Sequence, residues 1–164
     1  MKIVVSACLL GESCKYNGKN NYNENIVEFV RGHEVTAVCP EVLGGLAVPR
    51  QPAEIVNGIV MTREGVSVDK EFREGAAKAL KETLDEGAEL AILQSRSPSC
   101  GCRQIYDGSF GGKLIEGQGI FARMLEEAGI KTVDAEEIAK TFGEERAECM
   151  DEKQHPTGKG AYNV

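Results

Sequence analysis

Apolar residues recur along this chain in two alternating periods. Ile3-Val4-Val5-Ser6-Ala7, Val35-Thr36-Ala37-Val38 and Leu90-Ala91-Ile92-Leu93 are short, nearly continuous apolar runs bounded by turn residues. Runs of that length and composition read as strands buried on both faces. Between them the spacing turns helical. Ile26, Val27 and Val30 share one face of a short helix opening near Asn23 or Asn25 and closed by Gly32. Phe72, Ala76, Leu80 and Leu84 recur every fourth residue between Asp69, an expected N-cap, and Gly87. Ile120, Phe121, Met124, Leu125 and Ala128 form a third apolar face that stops at Gly129. Ile130 to Val133 reads as a short strand, and Asp134-Ala135-Glu136-Glu137 resembles a capping box opening a final short helix with Ile138 and Phe142 inward. Asn57-Gly58 between Ile55-Val56 and Ile59-Val60 is a hairpin signal. Around it, Gly44-Gly45, Pro49 and Pro52 break any regular element and leave a long loop. Beyond Gly143 the periodicity ends.

Alternation of strand and helix predicts an α/β fold: a single three-layer Rossmann-like domain with a mostly parallel sheet over residues 1–142. Residues 143–164 read as a polar, loosely attached C-terminal tail. The full length of 164 residues suits one domain. Three of the predicted strands run within a few residues into a cysteine: Cys8, Cys39 and Cys100. If the strands are parallel, those thiols share the edge of the sheet where open α/β folds bind ligands.

Composition narrows the classes. A net charge of −7, from 19 basic and 26 acidic residues, lacks the basic footprint of a nucleic-acid binder. No run approaches a membrane span, and Met1-Lys2-Ile3 enters a strand without the apolar region of a signal peptide, so a cytoplasmic location is expected. In that compartment six cysteines point to metal or catalysis more than to cross-links. Three thiolates around one position can hold zinc with an open fourth site, or an iron–sulfur cluster with one iron lacking a protein ligand. The same thiols also admit a redox-sensing protein in which Cys100 or Cys102 pairs with Cys8 or Cys14. Cys14 and Cys102 are weaker candidates as ligands, and Cys149 reads as a bystander in the tail. Glu41, two residues after Cys39, would lie beside such a site with proton-transfer work available. Ser97 and Ser99 flank Pro98 as turn formers or active hydroxyls, and Glu41 is the base within reach of them. Neither His33 nor His155 is placed for catalysis.

Three motifs in order, Val5-Ser6-Ala7-Cys8-Leu9-Leu10-Gly11, then Cys39-Pro40-Glu41-Val42-Leu43-Gly44-Gly45-Leu46 with Pro49-Arg50, then Arg96-Ser97-Pro98-Ser99-Cys100-Gly101, resemble the thiouracil desulfurase family of small bacterial proteins. The resemblance spans roughly residues 2–142 and leaves out the tail. It implies a [4Fe-4S] cluster held by Cys8, Cys39 and Cys100, with the fourth iron open to the sulfur of a thiocarbonyl substrate. It places the catalytic carboxylate at Glu41 and the catalytic serine at Ser97, for non-redox removal of sulfur from thiouracil as sulfide. Ser99 and Arg50, within the same motifs, are the candidates for substrate binding. The implied partner is a small thiolated base or nucleoside. Gln94 and Asn17 depart from the Lys and Asp frequent in the family, which touches substrate choice.

Overall fold

The computed structural model describes the backbone of residues 1–154 and the side chains through Glu148 except Arg146. At its centre β1 (Lys2–Ser6), β2 (Glu34–Val38), β5 (Leu90–Leu93) and β8 (Lys131–Asp134) form one sheet in the order β2-β1-β5-β8, with every pairing parallel. Alternation along each strand decides which side chain meets which layer. Val4, Ala91 and Leu93 face one layer with Phe72's helix α3 (Asp69–Asp85) and α4 (Ile120–Glu127), where Ala76, Ala79, Phe121 and Leu125 pack. Ile3, Val5, Leu90 and Ile92 face the other, against α1 (Glu24–Val30) and α5 (Ala135–Gln154) through Ile26, Val30 and Ile138. Helix, sheet, helix is the expected three-layer arrangement. Among the described residues no helix is long and apolar enough to cross a membrane.

The connections matter for the site. From β1 the chain crosses through α1 on one face to β2, then returns through α3 on the opposite face to β5, on β1's other side. The order therefore reverses between β1 and β5, and their carboxyl ends diverge into a crevice, as at the ligand sites of open α/β sheets. Two small antiparallel hairpins stand outside this sheet: β3 (Ala53–Val56) with β4 (Ile59–Thr62), and β6 (Gln104–Tyr106) with β7 (Leu114–Glu116). The first is the Asn57-Gly58 hairpin. The second gives no apolar run long enough to be read from sequence.

Local chemistry explains most boundaries. Asn23 caps α1 by accepting from the N–H groups of Asn25 and Ile26 at 3.0 and 3.3 Å. Asp134 caps α5, accepting from Glu136 N–H at 2.8 Å and from the Ser95 hydroxyl at 2.6 Å. Three expectations need correction. Asp69 is the first residue of α3 rather than its cap, and its carboxylate instead accepts from Val60 N–H at 3.0 Å and pairs with Arg73. Leu84 is exposed and Thr83 buried, because a strict spacing of four drifts about 40° per step around a helix of 3.6 residues per turn. The final helix is not short: α5 runs on past Gly143, where the apolar periodicity ends, to Gln154. A Cβ at Gly143 would stand 2.8 Å from Asn25 Nδ2, so the glycine marks where α5 crosses α1. Beside it Phe142 meets Phe29 edge-on, with ring centroids 5.7 Å apart. Residues 155–164 of the expected tail, with His155, and the side chain of Cys149 lie outside the described residues.

The tightest packing lies behind the site. The short helix α2 (Pro40–Leu43), which carries Glu41, touches α3 backbone to backbone at two glycines. A Cβ on Gly75 would fall 1.8 Å from the Pro40 carbonyl oxygen, and one on Gly44 would fall 2.0 Å from that of Glu71. No rotamer relieves a clash with backbone, so α2 must shift away. Gly75→Ala is expected to cost about 1–3 kcal/mol, as for overpacked cores. A chemical denaturation curve checks this, and an unchanged midpoint would show that α2 is not held by this contact.

Candidate active site

The three expected thiols are each placed by a strand end. β1 passes directly into a single 3-10 turn, Ala7–Leu10, that carries Cys8. β2 ends just before Cys39, the N-cap residue that opens α2, with Pro40 at its first helical position. β5 runs into the loop Gln94–Cys102, and Cys100 lies within it, buried. Cys8, Cys39 and Cys100 line one cavity of about 520 Å³, together with Cys14, Glu41, Arg50, Ser97 and Ser99. That volume lies within the roughly 300–1,000 Å³ of small-molecule sites. The three expected thiols therefore do converge.

Their surroundings differ. The Cys8 thiol is held below its ordinary pKa, chiefly by a hydrogen bond with Cys14, aided by Asn21, whose Nδ2 donates to the Cys8 sulfur at 3.5 Å. The Cys39 thiol is lowered to about 7, again chiefly through Cys14. Cys14 moves the opposite way, raised because its thiol serves Cys39 and Cys8. Cys100 is raised by burial. Cys102 belongs to the core under α4, outside the cavity, and burial pushes it up to about 11. The five cysteines with described side chains are free thiols.

Beside the thiols runs a continuous polar chain. Arg50 donates from Nε to Glu41 Oε1 at 3.2 Å, and its Nη2 lies 3.2 Å from the same oxygen. The guanidinium is fixed in turn by the carbonyls of Cys14 at 2.8 Å and Ala47 at 3.2 Å. Glu41 Oε2 accepts from the Ser99 hydroxyl at 2.8 Å, and Ser99 Oγ lies 2.9 Å from Ser97 Oγ. Ser97 Oγ accepts from the backbone N–H groups of both Ser99 and Cys100, each at 3.1 Å. Those two donors use its lone pairs, so the Ser97 proton points to Ser99 and the Ser99 proton to Glu41. Ser99 is 1% exposed and the Arg50 side chain 9%. Both line the cavity, and both are engaged by Glu41.

Several contributors had no sequence signal. Asn21 reaches Cys8 across a polar loop that carries no motif. Tyr106, Phe110 and Arg63 close the outer side of the cavity from the two hairpins, with the Arg63 guanidinium 5.8 Å from the centre of the Phe110 ring. Glu54 of β3 ties the hairpins together by accepting from Gly108 and Phe110 N–H at 3.0 and 3.2 Å. His33 is not among the lining residues.

The donor set fits an iron–sulfur cluster: three soft sulfur ligands on three separate elements around one roomy cavity. Among the described residues no three His, Cys, Asp or Glu side chains form a group able to hold a single metal ion. A cluster takes each thiolate at a different iron, so the three sulfurs need not converge on one point.

Comparison with known proteins bears on the family and the fold. The family model for 2-thiouracil desulfurase matches residues 3–137. An uncharacterised protein of Bacillus subtilis (strain 168), YbbK, is 39% identical over 146 residues, covering 83% of this chain and 97% of the relative. A solved structure of the [4Fe-4S]-dependent thiouracil desulfidase TudS superposes with a TM-score of 0.78 at 38% identity, covering 87% of this chain and 97% of that one. By sequence motifs, fold and family match together, this chain belongs to the 2-thiouracil desulfurase family.

Proposed function

We propose that this protein is a [4Fe-4S]-dependent desulfurase that converts the C=S of a thiolated nucleobase such as 2-thiouracil into C=O. Water supplies the oxygen, sulfur departs as sulfide, and no net electron is transferred. The observation that carries this reading is the meeting of three strand-end thiols and the Glu41–Ser99–Ser97 chain in one cavity. Cys8, Cys39 and Cys100 are assigned as the cluster ligands, which leaves one iron without a protein ligand. A cluster held there supplies a soft Lewis acid for the thiocarbonyl sulfur, which makes the attached carbon electrophilic.

The chain's own residues account for the proton movements. The Ser97 hydroxyl gives its proton to Ser99 Oγ as the Ser99 proton passes to Glu41 Oε2, so Glu41 acts as a base on Ser97 without touching it. Negative charge building on Ser97 Oγ is met by two backbone N–H groups, the device of an oxyanion hole applied to the nucleophile's side. Whether Ser97 attacks itself or holds the attacking water, the same relay takes the proton. Glu41 returns it to the ring or to the departing sulfur. Arg50 fixes the Glu41 carboxylate toward Ser99, so Arg50 and Ser99 serve the substrate by way of Glu41.

A cavity of about 520 Å³ suits a single base or nucleoside, and the net charge of −7 disfavours a nucleic-acid partner. A cytoplasmic setting fits, since reducing conditions keep the thiols free. We assign the whole reaction to residues 1–142, because every site residue named lies before Gly143. A chain ended after Gly143 should retain the iron and sulfide content of the parent. Iron lost on that truncation would mean that residues 144–164 support the site.

Single changes of Cys8, Cys39 or Cys100 to Ala should abolish or strongly reduce iron and acid-labile sulfide in protein purified without oxygen, while Cys102→Ala leaves both in place. Full iron in Cys100→Ala would transfer its role to another thiol. Glu41→Gln should keep cluster content and fold, yet lower sulfide release from 2-thiouracil by about 10²–10⁴-fold, the range for loss of a general acid or base. Ser99→Ala should lower it comparably by cutting the relay. An undiminished rate in Ser99→Ala would mean that Glu41 reaches the nucleophile by another route.

A further inference from the structure

The thiols and the Glu41–Ser99–Ser97 chain act on a C=S group and are indifferent to the ring that carries it. Contact with that ring falls to the outer side of the cavity, where the two hairpins meet. There the tip of the β6–β7 hairpin, residues 107–113, is locked in one shape. Asp107 Oδ1 accepts from the N–H and the hydroxyl of Ser109 at 2.9 and 2.6 Å, and Asp107 N–H donates to the Lys113 carbonyl at 2.9 Å. Glu54 takes the N–H groups of Gly108 and Phe110 on one oxygen. Gly108 lies so close to β3 that a Cβ there would fall 2.6 Å from the Ile55 carbonyl oxygen.

What this tip holds in place is Phe110. Its φ of 58° lies in the left-handed region, which a bulky side chain rarely adopts because its Cβ crowds the backbone. Glycine would relieve that strain, and two glycines follow directly at 111 and 112. Strain of this kind persists only where surrounding bonds over-determine it, and it gathers at ligand clamps. Phe110 is only half-buried, and it lines the cavity. Arg63 lines it too, with its guanidinium 5.8 Å from the centre of the Phe110 ring, within reach of a cation–π contact.

We propose that Phe110 is a specificity-determining residue: a stacking platform, steadied by Arg63, for the planar ring of the thiolated base. This rests on the thiolated-base reading above. The platform favours flat, unsaturated heterocycles over other thiocarbonyl compounds, because the π-face is what an aromatic side chain reads. Uracil, the product, carries such a face and so binds the platform without any sulfur.

The test uses the full chain purified without oxygen, as parent, Phe110→Ala, Phe110→Gly and Phe110→Tyr. The probes are uracil and dihydrouracil, which keeps both carbonyls and both N–H groups on a saturated, puckered ring. Titration calorimetry should find uracil bound about 5–150-fold more weakly by the Ala and Gly variants, the range for loss of one base–aromatic stack. Phe110→Tyr should stay within a few-fold of the parent, and dihydrouracil should bind the parent and Phe110→Ala alike. For 2-thiouracil, KM should rise in Phe110→Ala while kcat stays within a few-fold, the sign of binding lost equally from ground and transition states. The denaturation midpoint of Phe110→Gly should equal or exceed that of the parent, since the backbone strain is released.

Unchanged uracil affinity in Phe110→Ala would overturn the proposal. Equal weakening of uracil and dihydrouracil would do so too, by making Phe110 a spacer. A lowered midpoint in Phe110→Gly with uracil affinity intact would reduce it to a packing residue. A parent that releases sulfide from 2-thiouracil, with KM unmoved in Phe110→Ala, would sink the platform and leave the desulfurase reading standing. A parent that binds no uracil and releases no sulfide would instead remove the thiolated-base reading, and the platform with it.

Discussion

Parallel pairing is the constraint on which this molecule depends. Residues as distant in sequence as Cys8 and Cys100 come together only because β1, β2 and β5 run the same way and end at the same edge. Each strand spans only four or five residues, so the register leaves little slack in where the following thiol falls. The reversal of strand order between β1 and β5 then opens the crevice. An antiparallel partner at either place would send one thiol to the opposite edge and leave no site.

Within that frame the polar groups answer a different demand. Glu41 and Arg50 are largely withdrawn from water, and a charge in such a place must be matched by partners. Here the partners are shared. Arg50 bonds a carboxylate oxygen and two carbonyls, Glu41 takes a hydroxyl as well as the guanidinium, and Ser97 takes two backbone donors. No buried side-chain nitrogen or oxygen among the described residues is left without a partner. The satisfaction that makes burial tolerable also orders the hydroxyls, with Ser99 nearest to Ser97 and Glu41 the nearer acceptor of Ser99.

Much of this was legible because the strands are apolar and short and the helices carry distinct faces. The thiols could be grouped before any geometry was known, because each follows a strand. Other features have no one-dimensional trace. The role of Asn21 depends on how a polar loop folds back onto Cys8. The burial of Thr83 in place of Leu84 follows from helical drift, and the Thr83 hydroxyl satisfies itself on the Ala79 carbonyl at 2.7 Å. The apolar periodicity stops at Gly143, yet the helix does not, and there the glycine serves a close helix crossing. The hairpin β6–β7 has strands of three residues, too short for alternation to register. Ser99 and Arg50 were placed at the site by motif, whereas their engagement with Glu41 depends on contacts that a motif does not encode.

The Glu54 carboxylate that joins the two hairpins divides the cavity into parts with separate histories. Its floor is built from strands whose partners lie tens of residues away, and assembling it requires the closure of long loops. Its outer wall consists of two local hairpins, units that form quickly and close little chain. Changes in length or composition at the hairpin tips leave the register of the parallel sheet untouched. Substitutions in the hairpins can therefore reshape what the cavity admits while the thiol-bearing floor stays as it is, with one carboxylate as the joint between the two.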